Sequence, residues 1–365
     1  PTTSLPEQMG GSLNWDYRFC WVRDATFTLL AMIHAGYHAE AERWKEWLKR
    51  AVAGSFDQMQ TLYGVAGERQ LIEWEPSWLP GYRGSAPVRI GNAASTQLQL
   101  DVYGELADCL HQARGARIGN HDREGFNLQI ELLNHLEKIW REPDNGIWEV
   151  RGKQQQYTHS KMMAWVAFDR TIKSAEMFKM YGPLTKWKKM RQQIHDDVCR
   201  RGFNKKMGTF VQTYGSKRLD ASLLLMSLVG FLPANDPRVL GTVKQIEKHL
   251  MRDGLVLRYK VPKAKHGSVG EGAFLPCSFW LADNYELMGR HQDAKKLLQR
   301  LLGLCNDLGL FAEEYDYADQ RQLGNFPQAF THVGLIDAAL LLAEATGKAV
   351  RQRLPADARG TGLRA

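Results

Sequence analysis

The chain is short of cysteine. Its five residues, Cys20, Cys109, Cys199, Cys277 and Cys305, are scattered, odd in number and never spaced C-x-x-C. This argues against both a disulfide framework and a zinc site, and it fits a reducing compartment, so a cytoplasmic location is expected. No apolar run approaches the roughly 18 residues that mark a membrane-spanning helix. The opening Pro1-Thr-Thr-Ser4 shows neither the basic n-region nor the apolar h-region of a signal peptide. Glycine-rich phosphate loops, helix-turn-helix patterns and zinc-finger spacings are missing as well. The formal charge is +8, but the basic residues lie along amphipathic segments such as Lys186-Trp-Lys-Lys-Met-Arg191, or in the tail at 349–365. A solvated basic face accounts for them, and neither nucleic acid nor a membrane is expected as a partner.

Apolar content is plentiful: 44% of 365 residues, enough for one large domain or two ordinary ones. Helical periodicity runs almost throughout and falls into two alternating classes. Arg23–Ala35, Ala94–Gln112, Ser160–Phe178, Asp220–Gly230, Leu275–Met288 and Gln328–Ala345 are apolar nearly all round. The last carries Leu335-Ile-Asp-Ala-Ala-Leu-Leu-Leu-Ala343, which predicts that water reaches little of it. Ala39–Ala51, Asp122–Arg141, Leu184–Arg201, Pro237–Met251 and Arg290–Leu302 are amphipathic; in the fourth, Val243, Ile246 and Leu250 form one stripe opposite Lys244, Glu247 and Lys248. Such alternation predicts an inner ring wrapped by an outer ring. A helical repeat array would also alternate, but with a fixed period of roughly 34–47 residues and self-similar sequence. The spacing here is irregular, so a closed all-α toroid fits better.

Long connections rich in aromatics and glycine separate some of these helices: 55–92, 141–159, 252–274 and 307–327. Connections of this length in a helical domain are usually functional. Trp15, Trp21, Trp74, Trp78 and Trp148 lie on or beside them, and together they suit a pocket that stacks on sugar rings; a core plug is an equal alternative at any one site. Three segments combine aromatics with charge. In Asn14-Trp-Asp-Tyr-Arg-Phe-Cys-Trp-Val-Arg-Asp24, Arg23 and Asp24 begin an apolar helix, either as a clamp on substrate or as a helix-end acid beside an ordinary ion pair. In Asn145-Gly-Ile-Trp-Glu149, a turn delivers a carboxylate flanked by tryptophan; taken alone, such an acid is usually solvated. In Gly309-Leu-Phe-Ala-Glu-Glu-Tyr-Asp316, three acids crowd together, so a metal, a substrate or solvent must offset their repulsion.

The order Trp21-Val-Arg-Asp24, Gly146-Ile-Trp-Glu149, Arg258-Tyr259, Glu271-Gly-Ala-Phe-Leu-Pro-Cys-Ser-Phe-Trp-Leu281 and Ala312-Glu-Glu-Tyr-Asp316 resembles the bacterial branch of glycoside hydrolase family 15. The likeness runs from Thr3-Ser-Leu-Pro-Glu7 to Thr331-His332. It implies an (α/α)6 toroid and an inverting, exo-acting, glucoamylase-like glucosidase that needs no metal or organic cofactor. Trehalase and α-1,6-glucosidase activities are alternatives within the same resemblance, and a catalytically silent carbohydrate-binding module is one outside it. By resemblance Glu149 is the general acid and Glu313, beside Glu314, the general base. Arg23 and Asp24 grip the terminal glucose, Arg258 is a second arginine there, and Tyr17 and Trp21 line the subsite. Trp148, Glu271 and His332 complete the implied pocket.

Such a mechanism asks that Glu149 stay protonated, so it predicts desolvation of that carboxylate by Trp148 or a nearby acid. Six apolar and five amphipathic segments leave a six-pair toroid one outer helix short, before Arg23. The first eleven residues, with two prolines, two glycines and no apolar period, do not supply it. The expectation is therefore a single catalytic domain over 1–365 with an outer groove, covered by a further N-terminal segment or a second copy; the family resemblance implies an outer helix before Thr3, often with a β-sandwich domain upstream of it.

Overall fold

Eleven α-helices are present among the described residues, alternating between buried and half-buried as the periodicity requires. The computed structural model describes residues 2–54, 56–119, 123–260 and 271–345; the basic tail at 349–365 and the start of the helix expected at Asp122 lie outside them. In chain order the helices are α1 (Val22–His34), α2 (His38–Ala51), α3 (Asp101–Gly115), α4 (Arg123–Ile139), α5 (Thr158–Met177) and α6 (Leu184–Arg201). There follow α7 (Leu225–Leu228), α8 (Pro237–Leu250), α9 (Leu275–Leu287), α10 (His291–Leu302) and α11 (Ala329–Ala345).

The odd-numbered helices form a ring. α1 packs on α3, α3 on α5, and α5 on the 3-10 turn Ala221–Leu224 that leads into α7; α7 packs on α9, α9 on α11, and α11 closes on α1. The even-numbered helices lie outside, α2 against α1, α4 against α3 and α5, α6 against α5, and α10 against α9 and α11. This is the (α/α)6 toroid. Burial follows the two classes: Leu275–Glu286 of α9 is buried throughout, whereas α6 buries only Trp187, Ile194 and Val198. Inner helices need close approach. A Cβ on Gly104 of α3 would come within 2.2 Å of the Met163 carbonyl oxygen on α5, so glycine sets that contact. One apolar core runs from Val22 to Ala338. All five cysteines are free, and no helix among the described residues is long and apolar enough to cross a membrane.

Three expectations shift. The helix expected from Ala94 begins at Asp101. Ahead of it, Asn92 caps a 3-10 turn (Ala93–Thr96) by accepting from Ala94 N at 3.0 Å, and Asp144 accepts from Leu100 N where α3 starts. The expected Asp220–Gly230 helix is a 3-10 turn followed by the single α-turn of α7, because the Asp220 side chain caps at Ser222 N and the chain leaves through Gly230 at φ +72°. The largest change concerns α11. It buries Phe330, Thr331, Val333, Gly334 and Ala338, while Leu335, Ile336, Leu340, Leu341 and Leu342 are only half-buried. Its neighbours are α9, α1 and α10, and among the described residues no outer helix lies between it and α1.

Connections from inner to outer helices are short, as at 35–37 and 288–290. Those from outer to inner helices are long: 52–100, 140–157, 202–224, 251–274 and 303–328. Every long connection therefore arrives at the N-terminal ends of the inner helices, and there the chemistry gathers.

Candidate active site

A cavity of about 530 Å³ opens among these connections, lined by Tyr17, Trp21, Arg23, Asp24, Trp148, Glu149, Arg258, Glu271 and Glu313. Of the residues proposed from sequence, it brings together all but His332. Another cavity, of about 420 Å³, lies toward the C-terminal ends of α1, α9 and α11, and neither Glu149 nor Glu313 reaches it.

Glu149 sits on a turn closed by Glu149 N donating to the Gly146 carbonyl at 3.1 Å, with its own backbone in the left-handed region at φ +55°. Strain of this kind persists where surrounding contacts hold it, commonly at functional sites. The Glu149 carboxylate accepts from Trp21 Nε1 at 2.6 Å and meets Arg23 Nη2 at 3.5 Å. The chain reverses at Glu149, and Trp148 goes the other way: its ring meets Phe274 and Trp280, and its indole N–H donates to Asp220.

Arg23 begins α1 and is buried. It donates to the Ile147 carbonyl at 3.1 Å and pairs with Asp24 at 3.3 Å and Asp101 at 3.7 Å. Three carboxylates, Asp24, Asp101 and Glu149, thus surround one guanidinium. Burial pushes both Asp24 and Asp101 above the usual carboxylate range, and Arg23 draws them back. The Asp24 oxygen that faces Arg23 makes only this ion pair and no well-aligned hydrogen bond, and the residue lines the cavity, so its carboxylate has acceptor capacity left for a sugar hydroxyl.

Glu313 and Glu314 lie where the chain enters the short strand Glu314–Asp316, which pairs with Ala273–Phe274 on one side and Arg321–Leu323 on the other. Adjacent residues in extended chain face opposite ways, and these two part company. Glu313 lines the cavity, accepting from the Tyr17 hydroxyl at 2.8 Å and from Asn325 N at 3.3 Å. Gly324 (φ +74°) makes room, since a Cβ there would come within 2.9 Å of the Glu313 side chain. Glu314 turns to Arg258, which it meets at 2.9 Å; the same guanidinium meets Glu7 at 2.8 Å and pairs closely with Glu271. Glu313 and Glu314 are therefore buried rather than solvated on a loop, with Arg258 supplying the offsetting charge, while Asp316 is half-buried and accepts from Ala318 N and Asp319 N of the following turn.

Burial raises Glu313, Glu314 and Glu7, with Glu7 pushed up to about 8; the neighbouring acids add to this and Arg258 opposes it. Oxygens of Glu7, Glu271 and Glu314 lie within 4.8 Å of one another, the one grouping among the described residues with a geometry able to hold a metal ion. Arg258 already occupies the cationic place among them.

Corrections to the expected pocket are specific. His332 does not line it: its ring accepts from Phe311 N at 3.4 Å and contacts the Gln328 carbonyl at 2.7 Å, while Ala329 and Phe330 of the same helix face the cavity. Trp74 and Trp78 pack on each other at 5.7 Å and remain exposed, apart from the cavity that Trp15, Trp21 and Trp148 line. Sequence reasoning missed Glu7, Asn325, Phe274 and Asp220. The first stands in a proline-containing segment more than 250 residues from the Arg258 it meets, and local pattern carries no signal for such a contact.

A model of the family described as glycosyl hydrolases family 15 matches residues 1–340. The chain is 44% identical over 356 residues to a trehalase of Mycolicibacterium smegmatis, covering 96% of this chain and 52% of that protein. It is 40% identical over 351 residues to a trehalase of Thermoplasma acidophilum, covering 96% and 60%. It thus spans about half the length of the curated relatives it matches. A bacterial glucoamylase complexed with acarbose shares its fold, with a TM-score of 0.70 at 16% identity over 92% of this chain and 50% of that one.

Proposed function

The chain belongs to glycosyl hydrolases family 15, and from that premise we propose that it hydrolyses trehalose, with Glu149 as general acid and Glu313 as general base. The observation that carries this reading is the pair of carboxylates, Glu149 and Glu313, lining one cavity from separate connections. A carbohydrate-binding module would have no use for both. Identity to trehalases across nearly the whole chain favours trehalose over the α-1,4-linked glucans first expected.

In this mechanism trehalose enters with one glucose held by Arg23, Asp24 and Arg258. Glu149 gives its proton to the bridging oxygen as the bond from the anomeric carbon breaks. A water on the opposite face attacks that carbon and loses a proton to Glu313, which inverts the configuration. Glu313 suits the base better than Glu314. Glu313 lines the cavity, where water and substrate can reach it, held by a hydroxyl and a backbone N–H; Glu314 lies outside that lining and faces the Arg258 guanidinium.

Two measurements on the purified chain test the reading. Its kcat/KM for trehalose should exceed those for maltose and isomaltose by at least about tenfold, since discrimination rests on differential transition-state binding. Proton NMR in the first minutes should show equal α- and β-glucose, because only the attacked sugar inverts. A preference for maltose overturns the substrate; two α-glucose products overturn inversion.

A further inference from the structure

Asp220 lies outside the cavity lining, yet it joins the two walls of the site. Its carboxylate is fully buried, and its hydrogen-bond donors are all neutral. Trp148 Nε1 reaches its two oxygens at 2.9 and 3.0 Å, Gln212 donates at 2.8 Å, and Ser222 donates through its backbone N at 2.8 Å and its hydroxyl at 2.6 Å. Capping the 3-10 turn at Ala221 needs only a small polar side chain, and serine or asparagine would serve. A buried carboxylate with no cation beside it is a costly way to make that cap. What the second oxygen adds is an acceptor for Gln212 and a two-centred grip on the Trp148 indole.

That grip has a consequence on each side. The Trp148 ring lines the cavity, wedged edge-on against Phe274 at 5.6 Å with the Arg258 guanidinium over it at 5.7 Å. The residue after Trp148 is Glu149, in its left-handed conformation. The Asp220 backbone pairs with Tyr259, and Ala221 N donates to the Arg258 carbonyl at 2.8 Å. One residue therefore fixes the indole that precedes the acid and the backbone that carries the second arginine.

We infer that Asp220 is a positioning residue for the general acid: it pins the Trp148 indole and so holds the turn from which Glu149 reaches the glycosidic oxygen. The inference rests on Glu149 being that acid. Small misplacement of a catalytic group costs rate more than binding.

The test compares trehalose with α-glucosyl fluoride, whose fluoride departs without a proton from the enzyme. Asp220→Ala should lower kcat on trehalose by about 10- to 100-fold, a part of what general-acid assistance supplies. Turnover of the fluoride should fall much less. Asp220→Asn keeps the cap and one acceptor for the indole, so it should stay folded and show the same selective loss on trehalose to a smaller extent, which separates positioning from folding. Because Asp220 acts through Trp148, adding Trp148→Phe to Asp220→Ala should cost little beyond the larger single effect. Equal losses on the two substrates, or losses that multiply in the double variant, overturn the inference. A normal Asp220→Ala beside a crippled Glu149→Gln overturns it alone; an undiminished Glu149→Gln overturns the acid assignment beneath it as well.

Discussion

The two walls of the cavity are built on one plan and differ in one respect. Each centres on an arginine ringed by three carboxylates, the buried Arg23 with Asp24, Asp101 and Glu149, and the half-buried Arg258 with Glu7, Glu271 and Glu314. On the first wall the carboxylate proposed as the acid, Glu149, belongs to the ring and meets its arginine at 3.5 Å. On the second the ring is self-contained, and Glu313 stands beside it, served by Tyr17 and Asn325. A carboxylate in an ion pair and one held by a hydroxyl and a backbone N–H thus coexist at adjacent positions in the chain. Position in a charge network, and not residue type, tells these two glutamates apart.

The sharpest way to break this comparison is to neutralise one carboxylate at a time. Glu149→Gln and Glu313→Gln should each lower turnover of trehalose by at least about 100-fold, the ordinary scale of general acid–base assistance. They should differ on α-glucosyl fluoride, which Glu149→Gln still hydrolyses and Glu313→Gln does not. The opposite pattern would exchange the roles of the two walls.

A smaller effect is expected at Asp24, which shares Arg23 with the acid. Hydrogen bonds to charged groups contribute about 1.5–3 kcal/mol, so Asp24→Ala should lower kcat/KM by roughly tenfold or more, with binding and turnover both harmed. Unchanged kinetics with a lower Tm would mean that Asp24 serves only the first turn of α1.

The smallest effect concerns the support beneath the first wall. Asp144 opens the segment that carries Glu149, accepting from Leu100 N at 3.0 Å, and burial pushes it up to about 7. A carboxyl raised in the folded state binds its proton more tightly there than in the unfolded chain, whose value is about 3.9. Its contribution to stability is complete below that lower value and is lost as pH rises through about 7. Asp144→Asn cannot titrate, so the drop in Tm between pH 5 and pH 8 should shrink in the variant. An unchanged drop would show that other groups carry it.

Periodicity made the helices legible, because a helix facing a core on one side repeats its apolar residues every three to four positions. Both classes appear in the expected order, but α3 starts at Asp101 and not at Ala94, and the short α7 is blurred because a 3-10 turn and one α-turn share the apolar content of a longer helix. Glu149, Glu313, Arg23 and Arg258 were legible through motif order. Their partners were not. The Glu7–Arg258 pair spans 251 positions, and Asp220 meets Trp148 across 72; such contacts arise only when the ring of helices brings separate connections to one end. α11 shows the same division from the other side. Its apolar sequence fixed that it would be a helix, but how much of it meets water depends on which neighbours stand beside it. Local pattern determines what an element is, since backbone hydrogen bonding and side-chain spacing are local. Which carboxylate is clamped, which indole is pinned and which apolar face is covered were decided by tertiary structure, since burial and Coulomb interaction depend on distance in space and take no account of distance along the chain.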